Sequence, residues 1–376
     1  MKTPFQHALW RLAAIVLVVV AVAFLLGSPM RWLDTTRTLL AIARLADAEA
    51  TLAPRAPPVI AWTIEGRAGE ADLYTPTGRP RAALVLAPGA AVAGRDEPRL
   101  QALAATFAAA GFVVAVPEVP GLRRLALSAD DAVALADAAR ELGRRHPDLP
   151  LGLLAISYGV GPAVIAALEP DLRERIGFVV GIGGYRDSTA VIQFVTTGTY
   201  RRLGDGRLHR TTPNPYGRWA FLRANAHRLE DPLDATLLRL LAARLARGDR
   251  VDNADLRGLL TPDGAAVLDL MENDKPELVP ALLGALPAAI RRDIEGLNLS
   301  LHELGSLKAL LILIHGRDDA TIPWGESEAL AAAVPAGQAR VFLVEGMGHV
   351  GFRAGSLATA WTMWRALDEI LAQRRR

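Results

Sequence analysis

Apolar residues along this chain come in two rhythms. One is a short run with the length of a buried strand. Val59–Ile64, Ala71–Tyr74, Ala82–Ala87, Phe112–Val116, Leu151–Ile156, Gly177–Ile182, Lys308–Ile314 and Arg340–Val344 are of this kind. The other is a longer Ala- and Leu-rich stretch with helical spacing. Leu100–Ala110 ends at Gly111, and Ser128-Ala-Asp-Asp131 reads as a capping box that opens a helix to near Arg145. Val160–Leu168, 326–333 and 356–373 are further helices, each following a strand. Parallel neighbours need crossovers rather than tight turns. The alternation therefore predicts an α/β fold, a mostly parallel sheet of about eight strands with helices on both faces.

Residues 188–300 break the alternation. No strand is expected there, and the helical runs are Tyr216–Leu229, Leu233–Arg247, Ala265–Glu272 and Glu277–Ile294. This predicts a helical cap over 188–300, inserted before the penultimate strand. The α/β core is then 58–187 and 301–376.

The N-terminus has a different pattern. Leu12–Leu26 contains no charged or polar residue. Trp10 and Trp32 bracket it 22 positions apart, about 33 Å of helix and close to the thickness of a hydrocarbon core. Tryptophan at both ends suits the two interfaces of a bilayer. Residues 1–30 are expected to form a single-pass membrane anchor in contact with lipid. A cleaved signal peptide starting with Lys2 and Arg11 is the alternative, although no small-x-small site follows directly. Basic residues on both flanks leave the orientation open. Residues 31–57 read as a helical stalk ending in Pro54, Pro57 and Pro58.

Composition narrows the chemistry. A net charge of +2 over 376 residues argues against a nucleic-acid or general polyanion binder. Cysteine is absent, which excludes disulfides, thiolate nucleophiles and thiolate metal sites. His7, His146, His209, His227 and His302 lack metal-ligand spacing, and the acids are scattered among helices. No metal and no cofactor is expected.

The candidate chemistry lies at three strand ends. Ala155-Ile-Ser-Tyr-Gly159 joins the strand Leu151–Ile156 to the helix Val160–Leu168. A serine on so sharp a turn has an exposed hydroxyl, and the first amide of the helix points at whatever the oxygen attacks. A serine hydroxyl needs a base, and the base needs a group that holds its tautomer. Asp318 and Asp319 follow the strand ending at Ile314, and His349 follows the last strand. An open α/β sheet places its site at these carboxyl ends. His315 reads as a structural residue at a strand end.

With these motifs the chain resembles the α/β-hydrolase superfamily, in its esterase or dienelactone-hydrolase-like branches, over 59–187 and 301–376. The resemblance implies the chain order Ser, Asp, His. Its acid loop, H-G-x-x-D-x-x-V-P, matches His315, Gly316, Asp319 and Pro323 and favours Asp319 over Asp318. Its G-x-G-H loop matches Gly346, Gly348 and His349. It implies oxyanion donors at the amides of Tyr158 and Ala90. Three positions depart from it. Pro88 stands where the family has His, Ala155 where it has Gly, and Val160 at a frequent Gly.

The reading is a membrane-anchored serine hydrolase that cleaves carboxylic esters through an acyl-enzyme, with Ser157, Asp319 and His349 as its triad. A small ester or acyl compound is the expected substrate. A lactonase, thioesterase or peptidase on the same triad remains open, as does a non-catalytic binding or scaffold protein of this fold. One cap feature stands apart. Arg201–Arg228 holds seven Arg, and Asp205 is the only acid in that span. It reads as a solvated basic face, or as a contact for anionic lipid or an acidic substrate.

Overall fold

Ala82–Ala87 and Phe112–Pro117 carry no polar side chain, and every residue of both is buried. They lie inside an eight-stranded sheet. The structure, a computed structural model, describes residues 29–47, 57–249, 254–349, 351 and 356–375. The strands are β1 (Val59–Ile64), β2 (Arg67–Tyr74), β3 (Ala82–Ala87), β4 (Phe112–Pro117), β5 (Leu151–Ile156), β6 (Ile176–Ile182), β9 (Leu310–Gly316) and β10 (Ala339–Val344); β7 (Thr199–Arg201) and β8 (Leu208–Arg210) lie in the cap. Their order is β1-β2-β4-β3-β5-β6-β9-β10. β2 pairs antiparallel with both β1 and β4, and the remaining pairs are parallel. This is the α/β architecture expected from the alternation.

The chain leaves β3 toward β4 and then crosses back to β5 on the other side of β3. The loops after β3 and β5 therefore diverge and open a crevice at the carboxyl ends of these strands. Each sheet face has its own core. Leu135, Leu142, Val164 and Leu311 belong to one, and Phe107, Phe112, Phe178 and Leu367 to the other. The β1–β2 turn is tighter than the gap between the expected strands Val59–Ile64 and Ala71–Tyr74 indicated. Ile64 pairs with Arg67, so Glu65 and Gly66 alone make the turn, at φ +49° and +77°. Two positive φ values match the right-handed strand twist.

Residues 188–300 form the cap, with a core of their own that includes Leu222, Leu238, Leu241, Leu268 and Ile290. Two expectations there are corrected. A short antiparallel pair, β7 (Thr199–Arg201) with β8 (Leu208–Arg210), stands in a segment where no strand was expected. Three residues per strand are too few to display a period of two. The run 277–294 is two helices, Val279–Ala285 and Ala288–Gly296. Pro287 between them has no amide to continue the first.

The helix expected after the N-terminal apolar run spans Pro29–Asp47 and is docked on the core. Arg31 pairs with Asp368 at 2.8 Å, Asp34 with Arg374 at 3.0 Å, and Trp32 meets Trp364 edge-on at 6.4 Å. These partners lie on or just beyond the last helix, Leu357–Ala372. The anchor expected over residues 1–30 lies, but for its last two residues, outside the described residues. Among the described residues no helix is long and apolar enough to cross a membrane.

Candidate active site

β5 delivers Ser157 to the crevice. Ile156 is extended, Ser157 turns to φ +56°, and a 3-10 turn over Ser157–Gly159 leads into the helix Val160–Leu168. A left-handed backbone at a non-glycine residue costs about 1–3 kcal/mol and persists only where the surroundings hold it. Two of those surroundings are visible. A Cβ on Gly159 would sit 2.7 Å from the carbonyl oxygen of Pro88, so only glycine lets the β3 and β5 loops approach. Ala155 is fully buried below, with its methyl 3.8 Å from that same imagined atom. That distance is ordinary van der Waals contact, so the methyl crowds nothing and Ala at this position is compatible with the turn.

The structure brings Ser157, His349 and Asp319 together. Ser157 Oγ lies 2.6 Å from His349 Nε2, and His349 Nδ1 lies 2.6 Å from Asp319 Oδ2. Asp319 is buried, and burial alone would raise its carboxyl. Hydrogen bonds from His315 and His349, with their charges, outweigh this and hold it down at about 2. The carboxylate is thus an acceptor only. His349 Nδ1 must carry the proton, which leaves Nε2 bare to accept from the serine hydroxyl.

The other oxygen of Asp319 accepts from the amides of Thr321 at 2.7 Å and Ile322 at 3.0 Å. His315, read from the sequence as structural, is fully buried beside it. Its Nε2 faces Asp319 Oδ2 at 3.1 Å and the Ile322 carbonyl at 3.0 Å, both acceptors. Nε2 therefore donates, and Nδ1 accepts from Ser327 Oγ at 2.7 Å. His315 thereby fixes the direction of the carboxylate. Asp318, the alternative acid, is turned away and accepts from the Gly348 amide at 3.0 Å. The histidine loop packs closely. Gly346 and Gly348 have φ of +72° and +58°, and a Cβ on Gly183 would come within 2.9 Å of the His349 carbonyl.

Of the two expected oxyanion donors, Tyr158 stands in the first turn after β5, where helical amides have no partner within the helix. Ala90 lines the same cavity as Ser157, and its carbonyl accepts from the Tyr216 hydroxyl at 3.1 Å. Pattern reading missed the anchoring of the Tyr158 side chain. Its hydroxyl donates to Asp131 Oδ2 and to the Ser128 carbonyl, each at 3.0 Å. Burial pushes the Asp131 carboxyl up to about 6 and raises the Tyr158 phenol well above its ordinary value. Ser128 Oγ reaches Asp293 of the cap at 2.9 Å, and Asp293 pairs with Arg228 at 2.7 Å. The segment expected as a capping box lies just before the helix, which starts at Asp131 with no side-chain cap on Asp130, and its Ser128 is a joint between core and cap.

Arg228 is thus not part of an exposed basic face. Nor is Arg218, which donates to the carbonyls of Val195 and Thr196, while Arg202 lies 4.5 Å over the Trp324 ring. Between cap and core, Ser157 opens on a cavity of about 190 Å³ whose walls include Leu125, Leu127, Ile192, Val195, Phe221 and Ile294. Among the described residues no cluster of His, Asp and Glu could hold a metal ion.

Glu326 fixes the start of the cap. One of its oxygens accepts from the amides of Arg186 at 3.0 Å and Asp187 at 2.8 Å, and Asp187 caps the helix Ser188–Thr197. Burial pushes its carboxyl up to about 7. The folded chain therefore keeps this proton above pH ~4.5, where the unfolded chain releases it, so the contribution of Glu326 to stability falls with rising pH up to about 7 and then levels. Gln in place of Glu326 keeps an acceptor oxygen without the titration. Melts at pH 5 and pH 8 should show a smaller loss for Glu326→Gln than for the wild type, by a few degrees. Equal losses would place the titration elsewhere.

Sheet order, crevice and cap insertion are those of the α/β-hydrolase fold, and the chain has that fold. A provisionally named hydrolase of Legionella pneumophila superposes with a TM-score of 0.53 at 16% identity, over 81% of this chain and 84% of its own. An α/β-hydrolase superfamily protein from Enterococcus faecalis gives 0.48 at 15% identity, over 84% and 99%. A soluble variant of monoglyceride lipase from Saccharomyces cerevisiae gives 0.47 at 15%, over 87% and 98%. No family model and no curated protein matches the sequence.

Proposed function

We propose that this chain is a serine hydrolase that cleaves carboxylic esters with a compact apolar acyl group. The observation that carries the reading is the hydrogen-bonded series Ser157–His349–Asp319 opening on an apolar cavity. Ser157 attacks the carbonyl carbon, and His349 takes the serine's proton and returns it to the leaving alcohol. Asp319 holds the imidazole in the tautomer this requires and stabilises its charged form. The amides of Tyr158 and Ala90 receive the oxyanion, and water then releases the acyl-enzyme. The apolar run Leu12–Leu26 would keep the enzyme at a membrane, on the strength of its sequence alone.

Cavity size sets an expectation for the substrate. A dry apolar cavity of about 150 Å³ holds a benzene molecule, so about 190 Å³ suits a group slightly larger. A p-nitrophenyl ester series of graded acyl length should show kcat/KM rising several-fold per added methylene while the chain fits. It should then fall once the acyl group exceeds roughly eight carbons. Matched anilides and thioesters belong in the same series. Turnover of the anilides alone would replace the esterase reading with a peptidase.

A further inference from the structure

The helix Tyr216–Asn225 separates two cavities. Gly217, Ala220 and Phe221 line the apolar one over Ser157, whereas Trp219 and Arg223 line a second, of about 450 Å³. The core segment beneath alternates in the same way. Leu125 and Leu127 belong to the first cavity, and Arg124 and Ala126 to the second. The helix Pro232–Ala246 closes the second groove with Arg239, Ala242, Ala243 and Ala246, positions that share one helical face. His227 completes its rim.

The charges of this groove are one-sided. Its lining holds three guanidinium groups and an imidazole, and no carboxylate. Some other cap arginines are neutralised, Arg228 by Asp293, Arg247 by Asp249, and Arg257 by Asp269 and Glu272. Arg124, Arg223 and Arg239 are exposed at its rim and have no ion-pair partner among the described residues. Partial burial, with the charges of Arg228 and Arg239, holds the His227 imidazole below its ordinary value. Like charges around a shared space repel, and an anion between them relieves the repulsion. The alanines of the floor leave room for one. Guanidinium groups match tetrahedral oxyanions with paired N–H donors.

We propose that the groove between Arg124, Arg223 and Arg239 binds a phosphate-class oxyanion, either the free ion or the headgroup of an anionic lipid. The basic span seen in the sequence contributes Arg223 alone of its seven arginines to this groove; the other two arginines come from the core and from the next cap helix. An occupant would bridge core and cap with the helix Tyr216–Asn225 between it and Ser157. It would therefore bear on how the cap sits, not on the bond-breaking step, and the proposal stands or falls independently of the hydrolase reading.

The test uses the full chain and two probes, inorganic phosphate and vesicles of phosphatidylcholine with or without phosphatidate. Saturable binding of phosphate would make the free ion an accepted occupant. A gain in vesicle binding from phosphatidate, without binding of free phosphate, would make it the lipid headgroup. In either case the double variant Arg223→Gln/Arg239→Gln should bind about tenfold to a hundredfold more weakly. Arg244→Gln, on the same helix but outside the groove, should bind as the wild type does. The proposal is overturned if neither probe binds, if the double variant binds unchanged, or if Arg244→Gln loses as much as the pair.

Discussion

Ser157→Ala is expected to lose fluorophosphonate labelling altogether and to lower ester turnover by roughly five to six orders of magnitude. The hydroxyl is the only part of the side chain that the proposed reaction uses. Alanine keeps the Cβ, so the turn meets no new contact. His349 Nε2 loses its 2.6 Å partner, but the imidazole is 20% exposed and water can replace the hydroxyl. The variant should therefore melt near the wild type. Ser157→Gly sharpens the point. Glycine carries φ +56° without strain, so this variant should be equally inactive and at least as stable as Ser157→Ala. A loss of turnover alongside gained stability is the signature of a strained reactive position rather than of a damaged fold. A wild type that fails to label, under conditions that label a known serine hydrolase, would instead favour the binding-protein reading.

Much of the core was legible because buried parallel strands are short, apolar and bounded. β3, β5 and β9 begin or end within two residues of their expected limits. Ser157, Asp319 and His349 could be found for a related reason, since each follows such a strand. What stayed hidden depends on contacts between segments far apart in the chain. His315 touches Asp319 through a tautomer that the Ile322 carbonyl determines. Tyr158 is tied to Asp131, and Ser128 to Asp293, across 27 and 165 positions. The seven arginines of 201–228 look like one face in sequence but differ in surroundings, Arg201, Arg207, Arg210 and Arg223 being exposed while Arg218 and Arg228 bond to other parts of the chain. The groove at Arg223 arises only when Arg124 and Arg239 arrive from other elements.

Asp319→Asn should lower kcat by about 10⁴-fold, whereas Asp318→Asn should change it by less than about threefold. The two acids are neighbours, and the difference is one of direction. Asp318 is exposed, and its contact with the Gly348 amide survives in asparagine, whose oxygen still accepts. Asp319 is surrounded by donors on both oxygens. Two backbone amides take Oδ1, and His315 and His349 take Oδ2. An asparagine keeps its oxygen toward the amides and turns its NH₂ toward the two histidines. Donor then faces donor. His349 relieves the clash by moving its proton to Nε2, where it meets Ser157 Oγ and can no longer accept from it. The geometry survives while the base is lost. The clash with His315 is buried and adds about 1–3 kcal/mol of destabilisation. Stability against pH checks this separately. Asp319 is held near 2 in the folded chain, below its ordinary 3.8, so it contributes stability above pH ~3.8 that is lost as pH falls through about 2. The asparagine variant lacks that contribution, and its deficit should shrink over the same interval. Equal losses of kcat in the two variants would mean that Asp319 and Asp318 both orient the base, which the buried, four-donor setting of Asp319 argues against.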